Sequence, residues 1–392
     1  MKISKQEAGP LLLIVLQSFA FMMAHGPLSA LELGDELEMP AMKTEKAKDS
    51  VLTDVTLAGD RLVAVGDRGH IIFSDDKGTE WVQAEVPVRV NLTGIAFAND
   101  LKGWASGHGG VVLHTEDGGR TWTKQLDGTV ATRIILKSAE QQVAQLEQAV
   151  AAARGGRDED LEWDLETATW RLEDAQRDVE VGPAKPIMDV WFKNEREGFA
   201  VGAYGYFLHT TDGGKTWEDY ASRIDNPDSL HLYSVNGLHG EAVFIVGEEG
   251  SIHRSKDGGA TWETLDSPYV AGLFGVFGTD VEGEVYIHGL NGNAFHSANL
   301  GDSWQKLETQ IPSSLFNGQM LPDRRRVFVG QDGVLLVCGA DQGSCAVVPR
   351  EDRQTLSAAV LVGDSQMLVV GMGGMELVSL PPATGVGNQE GP

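Results

Sequence analysis

Basic residues are scarce in this sequence. In 392 residues, 31 Lys and Arg face 57 Asp and Glu, a formal charge of −26. An acidic surface is repelled by nucleic acid and by anionic membranes, which excludes both as general partners and leaves room for a basic docking partner. Cysteine is scarcer still. Cys338 and Cys345, seven residues apart, form neither a C-x-x-C redox motif nor a metal set. Beyond residue 30 no stretch is long and apolar enough to span a bilayer. The start differs: Lys2 and Lys5 precede an apolar run from Leu11 to Ala24 and the small-residue site Leu28-Ser29-Ala30. This predicts an export signal over residues 1–30 and a mature chain in a periplasm, with no membrane span after cleavage.

Glycine, by contrast, is abundant (48 residues) and regularly placed. An octet of the form (S/T)-x-(D/N)-x-G-x-(T/S)-W recurs five times, ending at Trp81, Trp122, Trp217, Trp262 and Trp304. Its acidic or amide position is Asp76, Asp117, Asp212, Asp257 and Asn299; the first copy has Glu80 where Thr is expected. Such a side chain folds back onto backbone amides, glycine supplies a turn, and the Trp anchors the returning strand. Upstream of each octet stands G-x-x-G, as in Gly66-Asp67-Arg68-Gly69, and two further copies begin at Gly330 and Gly371. Seven hairpins, each preceded by an apolar β-type run, predict an all-β, seven-bladed β-propeller. The last unit lacks a fourth strand, and the segment from Leu31 to Met42 is expected to supply it.

Periodicity breaks once. Trp122 and Trp217 are separated by 95 residues, whereas Trp81 and Trp122 are 41 apart. The extra stretch repeats apolar residues at spacings of 3 and 4 (Leu136, Ala139, Val143, then Leu161, Leu165, Ala168), with Gly155-Gly156 between the two runs. It reads as an antiparallel helical hairpin with a coiled-coil seam, inserted over residues 131–182. Residues 31–130 then hold the closing segment and blades one and two, 183–381 hold blades three to seven, and 382–392 form a disordered tail. The insert joins the last strand of one blade to the first of the next, which places it on the G-x-x-G rim, opposite the octets. Trp163 and Trp170 lie outside its seam, either packed on the propeller or exposed to a partner.

Cys338 and Cys345 fall at the Ser/Thr and Trp positions of a degenerate sixth octet, which predicts a disulfide in place of the aromatic anchor. Arg324-Arg325-Arg326 is the one basic cluster, read as a solvated turn or a docking patch for an acidic loop. His114, His209 and His296 recur before the octet hydroxyl, but equivalent places in separate blades do not converge on a metal. No cofactor is expected.

The octet resembles the Asp-box, or BNR repeat. Propellers carrying it include sialidases, which the resemblance associates with an arginine triad and an Arg-Ile-Pro signature. Here only Arg223-Ile224-Asp225 comes near, so catalysis is not expected; a glycoside hydrolase or carbohydrate-binding propeller is the alternative. Over about residues 50–380, apart from the insert, the octets and G-x-x-G turns resemble the photosystem II stability/assembly factor-like family. That resemblance implies a scaffold binding a membrane protein complex or its assembly intermediate. Other relatives of this type imply an accessory role beside exporters of the resistance-nodulation-division class.

Overall fold

Each G-x-x-G turn in the computed structural model holds down the start of its own blade. The structure describes residues 35–153, 158–340 and 344–382, and the unit described here begins at Glu36. The expected signal and all but the first residue of the expected tail lie outside the described residues. In the first blade the N–H of Asp67, inside the turn, donates to Val51 O at 3.0 Å, and Gln331 and Ser314 repeat this in the sixth at 2.9 Å. The leading glycine allows the approach: a Cβ on Gly330 would lie 1.9 Å from Ser314 O.

The turns organise seven antiparallel sheets in up-and-down order. Their innermost strands, Leu52–Ala58, Leu92–Phe97, Ile187–Phe192, Leu232–Gly237, Leu273–Gly278, Leu315–Met320 and Leu356–Val362, follow one another round a ring. In the first six blades the second and third strands are covered on both faces by neighbouring blades. That is why their sequences, such as Leu62-Val63-Ala64-Val65, are continuously apolar rather than alternating.

Every Trp of an octet packs against the preceding blade. Trp122 and Trp217 are almost fully buried, and Trp262 meets Phe207 of the third blade edge-on at 5.2 Å. The octet itself is a hydrogen-bonded loop. Asp117 Oδ1 accepts from the N–H groups of Arg120 (2.9 Å) and Thr121 (3.0 Å), and Trp122 Nε1 donates to Gly119 O at 3.0 Å. In the sixth blade the octet position is taken by the Cys338–Cys345 disulfide, packed among Phe277, Tyr286 and Leu307. The bond stands where the sequence predicts an anchor.

Closure of the ring departs from the expectation. Six sheets have four strands, but the seventh has three among the described residues. Of the expected closing segment, the described residues 35–42 supply no strand to it. Instead Arg89 N–H donates to Glu36 O at 2.8 Å and Ala41 N–H to Val86 O at 3.0 Å. Leu37 is the cause: it is buried beside Val88 and Val111, between the first two blades. The ring closes face to face, with Leu52, Val55 and Ile72 of blade one against Ala358, Leu368 and Val370 of blade seven and Trp81 packed on the seam. The free edge strand Gly374–Ser379 carries Glu376, ion-paired with Arg350 at 2.7 Å; charge on an edge discourages further strand pairing.

Side chains join the innermost strands where no ladder can form. Asp54 Oδ2 accepts from Ile95 N–H (3.0 Å), Thr93 Oγ1 donates to Ile187 O (2.6 Å), and Asp189 Oδ2 accepts from Val235 N–H (3.0 Å). Asn236 and Gln319 continue the series to the carbonyls of Val276 and Ala359, and His288, on the second strand of the fifth blade, reaches Leu315 O. Among the described residues only the seam between blades seven and one lacks such a staple.

Candidate docking face

Two helices, α1 (Gly128–Ala152) and α2 (Glu159–Val181), make up the predicted insert. Asp127 caps α1 by accepting from Val130 N–H at 3.1 Å, and Asp158 caps α2 by accepting from Leu161 N–H at 3.3 Å. Gly182 ends α2 with φ of 95°. Ala131, Ile135, Ala139 and Ala175 seat the hairpin on Tyr206 and Leu208 of the third blade. A Cβ on Gly110, in the second G-x-x-G turn, would lie 2.6 Å from Gly128 Cα, so α1 starts directly on that turn. The hairpin therefore stands on the G-x-x-G rim, as its point of insertion requires.

Between α2 and the outer loop of the third blade (residues 220–231) lies a cavity of about 630 Å³. Its walls carry six aspartates and two bases, Arg171 and Lys185. Arg171 Nη2 pairs with the buried Asp219 at 2.9 Å, and Lys185 pairs with Asp178 while lying 5.1 Å from the centre of the Tyr204 ring. Burial, reinforced by Asp178 and Asp219, pushes the Tyr206 hydroxyl above its ordinary range. Trp170 lines this cavity and is 54% exposed; Trp163, seven residues earlier on the same face, is 62% exposed.

The central channel holds a second cavity of about 400 Å³ that runs along the innermost strands, past Thr53 to Thr56 and Thr93 to Phe97. Tyr233, Phe274 and Phe316 form a continuous aromatic wall there, with successive rings 5.4 Å apart. Asp54 and Asp189 also border it. Burial, then the charge of Asp189, pushes the Asp54 carboxyl up to about 7; burial pushes Asp189 up to about 6. Both carboxylates are already committed to backbone N–H groups, so we assign them to holding the ring. Sequence reasoning missed them. The available signal was an aspartate at the same register in two innermost strands, Leu52-Thr53-Asp54-Val55 and Ile187-Met188-Asp189-Val190.

The arginine cluster is split: Arg325 and Arg326 are buried, whereas Arg324 stays partly exposed. Arg324 reaches Asp280 (3.1 Å) and Glu284 (2.9 Å) of the fifth blade, and Arg325 bonds Asp323 and Pro381 O. Arg326 is buried against the Tyr286 ring. In an acidic chain the Arg325 and Arg326 guanidinium groups find their partners inside the fold, which removes these two from the docking residues; Arg324 is held in a surface ion pair. The recurring histidines sit apart in their own blades. Each faces an aromatic directly across the sheet: Trp104 and His114, Phe199 and His209, Tyr286 and His296. The five Asp-box turns lie on the far rim, with their Asp or Asn side chains used up by their own backbone.

The model of the photosynthesis system II assembly factor YCF48 family matches residues 36–168 and 166–272. The chain belongs to this family. Against curated proteins the sequence finds no match. Among solved structures the fold is similar to YCF48 bound to a D1 peptide, with TM-score 0.58 and 14% identity over 88% of this chain and 99% of that one. It is also similar to YCF48 from Cyanidioschyzon merolae (TM-score 0.58, 13% identity, 85% of this chain and 96% of that one). The WD40 propeller domain of Doa1 is alike in fold, with TM-score 0.58 and 10% identity over 90% of this chain and 99% of that one. At such identities the likeness is one of architecture, and function rests on this chain's own surfaces. No described helix is long and apolar enough to cross a membrane.

Proposed function

We propose that the protein is an exported, non-catalytic scaffold that binds a segment of a membrane protein while its complex is assembled. Membership of an assembly-factor family carries this reading, and a structure of YCF48 with a bound D1 peptide supports peptide capture as the mode of action. The face we assign to capture is the G-x-x-G rim, where the hairpin, two exposed Trp side chains and the cavity beside α2 lie together. Exposed aromatics beside a concave surface are what binding hot spots use.

The test is affinity capture from solubilised membranes with the full chain and with a chain lacking residues 129–182. The ends of that deletion already touch: a Cβ on Gly128 would lie 2.6 Å from Pro183 Cβ. The shortened ring is expected to fold, read by its β-sheet circular dichroism, and to lose its membrane-protein partner. Equal capture by both chains refutes the assignment to this rim, and turnover of a sialoside by the purified protein refutes the non-catalytic reading.

A further inference from the structure

We infer that the cavity between α2 and the outer loop of the third blade binds a lysine- or arginine-bearing segment of a partner protein. This rests on the scaffold reading above and gives it a ligand chemistry. The first ground is charge. Six aspartates against two bases leave the walls at a formal −4, and both bases are already paired. Asp174 is paired with Arg177, but Asp164, Asp225 and Asp228 have no ion pair among the described residues. Three carboxylates facing one concave surface raise the local concentration of cations.

The second ground is independent of charge. Trp170 and Tyr204, both more than half exposed, line the same cavity. A Lys or Arg stem lies well along such rings while its head reaches carboxylates. The fold does this once itself: Lys185 lies over the Tyr204 and Tyr206 rings while paired with Asp178.

The experiment uses a short fluorescein-labelled peptide of repeated Arg-Gly-Leu, its Glu-Gly-Leu counterpart, and anisotropy at physiological salt, where diffuse surface attraction is screened. One variant combines Asp164→Asn, Asp225→Asn and Asp228→Asn. The control neutralises three exposed acids on the opposite rim, Asp60→Asn, Glu282→Gln and Asp364→Asn. The cationic peptide is expected to bind the native chain, to weaken about tenfold in the cavity variant, and to change less than about twofold in the control. Trp170→Ala, at an exposed position that leaves the fold intact, is expected to weaken it as well. Equal weakening in cavity variant and control, no binding of the cationic peptide, or preference for the glutamate peptide each overturns the inference. If membrane capture still depends on the hairpin while the peptide result is negative, the scaffold reading stands and only the cationic ligand falls.

Discussion

Replacing Asp54 by Asn turns the stapling acid of the channel into a probe of its own proton. Between pH 4 and about 7 the folded chain keeps a proton on Asp54 that the unfolded chain has released, because burial lifts the group from 3.8 to about 7. The native state then binds more protons than the unfolded one, so this group lowers stability as pH rises and levels off above about 7. Buried His253 and His288, both lowered to about 4, act in the opposite direction. As pH falls from 6.5 to 4, the unfolded chain gains protons that these rings refuse. The native profile therefore mixes two slopes, and only the difference between variant and native chain isolates Asp54.

At 1.36 kcal/mol per unit, the shift corresponds to at most ~4 kcal/mol. Asp54 also borders the open channel and is coupled to Asp189, so solvent screening reduces this to ~2 kcal/mol. Asn keeps one acceptor for Val55 N–H or Ile95 N–H but not both, a constant loss of ~1 kcal/mol. The variant is thus expected to be the less stable at pH 4 and to gain ~2 kcal/mol on the native chain by pH 8. Urea unfolding at intervals of pH, followed by Trp fluorescence, measures this directly. A difference that stays flat to within ~0.5 kcal/mol over that range means Asp54 titrates normally and sinks the argument.

Two further outcomes test the ring. Trp81→Ala removes the ring packed on the seam between blades one and seven, where no side-chain staple helps. Since Trp81 is only partly buried, the expected loss is ~2 kcal/mol, read as a lower urea midpoint, and a loss under ~0.5 kcal/mol shows that closure does not use it. Reducing Cys338–Cys345 opens a short loop and is expected to cost ~2.5 kcal/mol, measured by unfolding with and without reductant; an unchanged midpoint after confirmed alkylation of both thiols contradicts that role.

The sequence made the repeats legible because each turn states its own chemistry. Octet, G-x-x-G and the switch to helical spacing are local, and seven copies reinforce one another. What stayed hidden depends on partners remote in the chain. Leu37 finds its burial site only once blades one and two are side by side, so the closing role expected of its segment could not be tested by pattern. Arg324, Arg325 and Arg326 look like a surface cluster until Asp280, Glu284 and the Tyr286 ring arrive from the neighbouring blade. The cavity on the docking rim joins residues 164 to 178 with 219 to 229, two stretches with no shared motif.

The site of insertion explains why this cavity exists. A connection between blades must leave from an outermost strand and return to an innermost one, so anything added there has to cross the G-x-x-G rim. The turn at Ala203-Tyr204-Gly205 anchors the start of the third blade through Ala203 N–H to Pro186 O at 3.1 Å, whatever precedes Pro186. Fifty residues can therefore be added without moving the blade. α1 takes the near position, burying its apolar stripe on blades two and three, and α2 is left outside it facing the loop that leads to blade four. The face of α2 turned to that loop carries Asp164, Trp170 and Asp174, residues too polar or too bulky for the α1 seam. A wall of that composition, held a cavity's width from a second acidic loop, follows from where the hairpin enters rather than from any demand of the ring's stability.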